Sequence, residues 1–322
     1  MTATTASRVS APNRAQALRW IQSNGVYVAL ALLIAYNVFF TPRYVSLANL
    51  NVQLTATSRI LIVALGMALV IGTEGIDLSV GAVMALAGAV LVPLSSAPPL
   101  LGLFVALLVG VLAGLLNGGL VAYGGVQPIV ATLALLVAGR GLAQVLVTNQ
   151  NPSIQSDVVL KITAGSVLGV DGILVAAVVP ALLVFFLVRR TIFGRRLVAI
   201  GDNPRASYLS GMPVRRTLIL VYVASGLLAA WAGIVDASYI TAADTRSSGI
   251  NYELFAITAV VVGGTPLTGG QVRVLGTIAG AVLMGLIRST LLFHSVSDSV
   301  SQVATAIIII IAVYVQRKRE RT

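Results

Sequence analysis

Two acids and three glycines crowd one short stretch between apolar runs, Gly72-Thr73-Glu74-Gly75-Ile76-Asp77-Leu78-Ser79-Val80-Gly81. A carboxylate at bilayer depth is costly unless it is paired or hydrated, so Asp77, with Ser79 beside it, is a candidate for a translocation path. The competing reading makes the stretch a turn at the inner face, where Asp77 or Ser79 caps the helix starting near Val80 and satisfies its orphan amides. The orientation derived below favours that turn. Polar groups recur downstream in Gly114-Leu115-Leu116-Asn117-Gly118, in Gln127-Pro128-Ile129-Val130-Ala131-Thr132-Leu133 and in Gly139-Arg140-Gly141. Lipid would penalise Asn117, Thr132 and Arg140, so they should face the protein interior. There they serve either as interhelical glue or, with Gln127, as part of a path.

A second glycine-rich break, Gly263-Gly264-Thr265-Pro266-Leu267-Thr268-Gly269-Gly270-Gln271-Val272-Arg273, has the density of a phosphate loop without its chemistry. A Walker A motif needs a lysine directly after its glycine, and the two lysines here, Lys161 and Lys318, follow no glycine. ATP hydrolysis by that route is excluded. His294 lies in an outer loop with no partner in sequence and reads as a loop residue. With one His, no Cys and scattered acids, no convergent catalytic set is visible, and no metal site or cofactor is expected.

The polar segment from Gly194 to Pro213 carries the clearest local signals. Asn203 is an N-cap, Pro204 occupies the first helical position, Gly211 is the left-handed residue after the last turn, and Pro213 blocks continuation. Two turns are marginal in water, so something should pack on them. Ala206 and Leu209 share a face, with Tyr208 and Met212 at its edges and Arg205 able to meet an acidic rim. A surface-lying helix whose arginines meet anionic lipid is the alternative.

The elements that must hold these residues are membrane helices. Of 322 residues, 57% are hydrophobic and 10% are charged, against roughly a quarter charged in soluble domains. About ten spans can be drawn: near Val26 to Phe40, Ile60 to Thr73, Gly81 to Leu94, Leu100 to Tyr123, Pro128 to Val147, Ile173 to Val188, Thr217 to Val235, Glu253 to Gly263, Val274 to Phe293 and Val300 to Val315. Several are too short to cross upright. The second, third and eighth abut glycine-rich breaks, which survive at membrane depth only where protein or a wet cavity satisfies the backbone. The expected class is an all-α polytopic membrane protein with a short cytoplasmic helix. Residues 1–24 form an N-terminal tail, 25–316 one transmembrane domain and 317–322 a basic tail. The first span lacks a cleavage pattern after Phe40 and reads as retained.

Charge placement orients the bundle. With the N-terminus inside, fifteen of the 21 Lys and Arg fall on the inner side and four, Arg43, Arg59, Lys161 and Arg246, on the outer side; Arg140 and Arg288 lie within spans. That asymmetry puts both termini in the cytoplasm. The net charge of +11 thus flanks apolar runs and is no nucleic-acid footprint. A faint repeat pairs Ala68 to Gly72 with Ala259 to Gly263, and Gly88 to Leu91 with Gly280 to Leu283.

From about Asn49 to Val315 the chain resembles the permeases of ribose- and galactose-type ABC sugar importers, and within them the galactofuranose-type permeases. The resemblance rests on the order of Gly75-Ile76-Asp77-Leu78-Ser79-Val80-Gly81, Asn117-Gly118, Gln127-Pro128 with Thr132-Leu133, Arg140-Gly141, Gly201 to Gly211, and Gly263-Gly264 with Gly269-Gly270. Glu74 departs from it, since the family usually has a second glycine before Ile-Asp-Leu-Ser. The resemblance implies a bacterial inner-membrane permease that pairs with itself or a sister permease, takes sugar from an external binding protein and docks cytoplasmic ATPase subunits. It assigns ATPase coupling to Asn203, Pro204, Arg205, Ala206, Tyr208, Leu209 and Gly211. An ion-coupled secondary transporter is the alternative. It needs ionisable groups in the path, and of the ten acids only Glu74 and Asp77 approach a helix break.

Overall fold

The computed structural model describes residues 14–42, 44–94, 97–147 and 152–296, with 300, 302–303, 306–307 and 310 beyond them; for 14–24, 48 and 99 it describes the backbone alone. Among the described residues to 296, twelve helices follow one another: α1 (Arg14–Phe40), α2 (Leu47–Gly72), α3 (Val80–Val90), α4 (Pro99–Ala122), α5 (Pro128–Leu146), α6 (Asp157–Ala164), α7 (Gly172–Arg190), α8 (Ile192–Asp202), α9 (Pro204–Leu209), α10 (Val214–Ile240), α11 (Tyr252–Val262) and α12 (Val274–Phe293). Among the described residues six of them, α2, α4, α5, α7, α10 and α12, are long and apolar enough to cross a membrane. Gly25–Phe40, α3 and α11 are shorter apolar helices. Most of the expected span from Val300 to Val315 lies outside the described residues.

Three boundaries differ from the sequence reading. Helix α1, described from Arg14 onward, takes in part of the expected tail. Helix α2 starts at Leu47, capped by Ser46, so a polar first half that hydropathy reads as a loop is helical. Arg59 therefore lies within a helix and leaves the outer-loop charge set. A two-stranded hairpin, β1 (Ser166–Val167) and β2 (Val170–Asp171), interrupts the helical pattern. Leu168 and Gly169 at its tip both have positive φ, as tight two-residue hairpin loops require.

The core forms around α2. Residues 60–72 are buried on every side, which is what a helix apolar all round demands. Helix α10 runs antiparallel along α4, with Gly110, Gly114 and Gly118 set against Gly226, Tyr222 and Ile219, so small residues let the backbones approach.

Two short helices start inside this bundle. After Gly72 the chain turns back, and Asp77 reaches Ser225, the α10 residue that also faces Gly66 of α2. Helix α3 begins from that depth and runs along α10, from Gly233 beside Met84 to Ala237 beside Gly88. At the far end, residues 241–251 leave α10 and return, so that Gly249 meets Gly81 before α11 starts. A methyl on either glycine would overlap the other's carbonyl oxygen, and Gly249 also has φ 69°. The first turns of α3 and α11 thus face each other inside the bundle. Residues 241–243 are steadied by 152–154, where Ile154 N donates to Thr241 O at 2.9 Å and Ala243 N to Pro152 O at 3.2 Å.

Candidate functional site: two helix breaks and a surface helix pair

The turn after α2 is built by its cap. Glu74 has φ 64°, its amide donates to Ile71 O and the Gly75 amide donates to Val70 O, a Schellman arrangement. The turn after α11 repeats it: Gly264 has φ 89°, and its amide and that of Thr265 donate to Val261 O and Val260 O. The faint repeat in sequence therefore marks two helix ends of the same geometry. Their continuations differ, because Gly75 leads inward to Asp77 and α3, whereas Thr265 leads along a surface segment to α12.

Asp77 is 2% exposed and sits at the centre of a neutral polar cluster. Its Oδ1 accepts from the Ser79 amide at 3.0 Å and the Ser79 hydroxyl at 2.6 Å, and its Oδ2 accepts from Ser225 Oγ at 2.8 Å. Asn117 Nδ2 donates to Ser79 Oγ at 2.9 Å. Ser79 occupies the N-cap of α3 without a side-chain capping bond. The simple cap foreseen from sequence is thus replaced by a carboxylate shared between the break and α10. Thr132, fully buried, donates to Ile76 O at 3.2 Å, which fastens α5 to the same break. Asn117 Oδ1 and Tyr222 Oη are buried without a hydrogen-bond partner among the described residues. Asn117 and Thr132 face the interior as expected. Gln127 does not join them, being exposed at the start of α5.

Arg140 belongs to a separate network near the second inward turn. Its Nη1 donates to Ser248 O, and its charge acts on Glu253, whose Oε2 is buried beside Gly81. Ser248 Oγ donates to Asp236 Oδ2, and Asp236 Oδ1 pairs with Arg59. Arg59 also lies over the Tyr239 ring, 5.3 Å from its centre. The sequence reading saw neither Asp236 nor Glu253 as an acid near a helix break. Among the described residues the Arg59–Asp236 contact is an ion pair joining α2 to α10. The lone charge of α2, Arg59, and the lone acid of α10, Asp236, were the available signal, but pairing them needs the fold. Ser225 and Tyr222 gave no signal in an α10 sequence rich in small residues.

At the end carrying α9, the local grammar holds. Asn203 Oδ1 accepts from Ala206 N at 2.9 Å, Pro204 opens the helix, Gly211 has φ 79°, and the amides of Gly211 and Met212 donate to Tyr208 O and Ser207 O. Arg205 and Ala206 are exposed, as are Tyr208 at 68% and Leu209 at 77%. Ser207 alone turns inward, donating to Ala199 O of α8. The sequence reading missed α8, whose signal was Thr191 as N-cap before Leu197 and Ile200 three apart. Helix α8 ends against both breaks. Gly201 packs on Gly72 O and the Gly270 amide, and Gly270 N donates to Gly72 O at 3.2 Å. A side chain at position 201 would have no room.

Comparison with known proteins identifies the family. The family model described as branched-chain amino acid transport system / permease component matches residues 49–313. The galactofuranose transporter permease protein YtfT of Escherichia coli is 37% identical over 94% of this chain and 91% of its own. The fructose import permease protein FruF of Bifidobacterium longum is 38% identical over 82% of this chain and 76% of its own. The ribose import permease protein RbsC of Haemophilus influenzae is 37% identical over 92% and 93%. No solved structure matches. With its membrane-length helices and a match over most of its length, the chain is a multi-pass membrane protein that belongs to this family of transport-system permease components.

Proposed function

We propose that this chain is the translocation subunit of an ATP-driven sugar importer in a bacterial inner membrane, working by alternating access with a separate cytoplasmic ATPase. The observation that carries the reading is the placement of α8 and α9. Helix α9 presents Ala206, Tyr208 and Leu209 outward, and α8 behind it touches the ends of both broken segments at Gly72 and Gly270. Movement of a partner against α9 is thereby delivered to the two places where the membrane helices are interrupted, a shear that packed helices transmit well. The chain supplies differential contacts rather than chemistry. Sugar is the cargo named for the relatives above. The working unit contains a second permease, itself or a sister, and receives sugar from an external binding protein. Both termini and α9 are cytoplasmic, the arginines near α9 lie close to anionic lipid, and Asp77, Ser79, Asn117 and Thr132 belong to the path or its wall.

Replacing Ala206 with Glu and Leu209 with Asp tests the coupling surface. Sugar uptake and ATPase co-purification are expected to fall together while membrane insertion persists, because α9 lies outside the membrane-length helices. Unchanged uptake and assembly would leave α9 a surface-lying helix. The alternative is an ion-coupled transporter, favoured by the buried Asp236 and by Glu253, whose Oε2 is buried, but opposed by the pairing of Asp236 with Arg59. Accumulation in vesicles holding this chain alone, driven by a proton or sodium gradient, would decide for it.

A further inference from the structure

Arg288 is the intramembrane cation that the networks above do not use. It lies fifteen residues into α12, a helix of membrane-crossing length, and has no acid partner among the described residues. An ionisable group so placed faces a partner or a pathway. The guanidinium lies 5.9 Å from the Tyr252 ring centre and 5.4 Å from that of Phe255, both on the first turn of α11. These rings meet edge to face and partly offset the cation's lost hydration. Arg288 borders a cavity of about 260 Å³ that Ser247, Asn251 and Phe255 also line, together with Met284, Ile287 and Leu291 from α12 itself. Asn251 precedes α11 with φ 62° and makes no side-chain capping bond, so its amide is turned from the duty that an N-cap usually has.

We propose that this cavity is a binding site for one neutral monosaccharide, a stopping place on the path rather than part of the Asp77 cluster. The proposal rests on the sugar-importer reading. Pockets for drug-sized ligands run roughly 300–1,000 Å³, so this one suits a smaller solute. The functional groups match the solute. Arg288 offers several N–H donors in a plane, Asn251 a donor and an acceptor, and Ser247 a hydroxyl, which together serve neighbouring sugar hydroxyls. The aliphatic wall of Met284, Ile287 and Leu291 takes the C–H face. That the sugar is neutral follows from the sugar-importer reading, since the cation, without an acid partner among the described residues, would by its charge also accept an acidic sugar. The cavity lies beyond Gly249 from α9, on the side toward the α12 end where Thr41 of the α1–α2 turn meets His294. This is the mouth that an outside sugar would meet first under the proposed orientation.

The chain has no cysteine, so a single Ile250→Cys variant at the cavity lining in lipid nanodiscs reports on the cavity without background. D-ribose, D-fructose or D-galactose at millimolar concentration is expected to slow its maleimide labelling severalfold, while Leu168→Cys at the exposed hairpin tip keeps its rate. Adding Arg288→Gln or Asn251→Ala to Ile250→Cys should remove the protection, and Phe255→Ala should weaken it. Co-purification of each variant with its ATPase confirms an intact fold. Cellular uptake of the same sugars separates the two readings. If uptake depends on this chain and none of the transported sugars slows labelling of the Ile250→Cys variant, the site assignment is wrong and the importer reading stands. Protection by D-galacturonate alone would overturn the neutral-sugar assignment, and loss of all chain-dependent sugar uptake would remove both.

Discussion

Asp77 and Asp236 are both buried carboxylates beside an inward turn of the backbone, yet their surroundings are opposite. Asp77 accepts from one amide and two hydroxyls and forms no ion pair among the described residues. Asp236 pairs with Arg59 and accepts from Ser248, whose carbonyl in turn holds Arg140. Hydroxyls reorient at little cost, whereas an ion pair out of water is bound to its geometry, because neither charge tolerates solitude. The first turn is therefore held by exchangeable neutral donors that suit a segment meeting polar cargo. The second is held by charge and suits a fixed strut between α2, α10 and α5. Under the proposed coupling through α8, the Asp77 turn is the one expected to shift.

The comparison breaks most visibly at the ion pair. Asp236→Asn leaves Arg59 buried without a counter-charge, and the loss in stability is expected to be about 3–5 kcal/mol, the usual cost of orphaning one member of a buried pair. Detergent-denaturation curves would measure it. The double variant Arg59→Met with Asp236→Leu should recover most of that loss, since apolar replacements of similar size remove both desolvation costs. A double variant as unstable as the single one would mean that the pair is not the strut.

The matching change at the neutral cluster is milder. Asp77→Asn keeps the volume and one acceptor, and Ser225 Oγ can rotate toward it, so a loss of about 1 kcal/mol is expected, near the interhelical hydrogen-bond values found in membranes. Transport should suffer more than stability. Equal destabilisation at Asp77 and Asp236 would erase the distinction between a yielding turn and a strut.

The smallest effect concerns the cap before Asp77. Glu74 is exposed and holds φ 64°, a conformation costing an L-residue roughly 1–2 kcal/mol that glycine avoids. Part of the gain from Glu74→Gly is returned as unfolded-chain entropy, so a net stabilisation below about 1 kcal/mol is expected in the same denaturation assay. The equivalent residue of the other turn is already Gly264, and Gly264→Ala should move stability in the opposite direction.

What could be read from sequence alone was local or repetitive. The caps of α9 needed only Asn203, Pro204 and Gly211 in order, because a capping bond spans three residues and is indifferent to the rest of the chain. Membrane class followed from long apolar runs, since lipid imposes the same requirement on each segment separately. The interior placement of Asn117 and Thr132 followed from the cost of exposing polar groups to hydrocarbon. Helix continuity was beyond such reasoning: α2 was cut short at Ile60 because its polar first half looks like a loop until neighbours bury it. The pairing of Arg59 with Asp236, 177 positions apart, the meeting of Gly81 with Gly249, and the contact of Gly201 with Gly72 and Gly270 were decided only by the fold. Each depends on which helices become neighbours, and many glycines and lone charges in this sequence look alike until tertiary packing chooses among them.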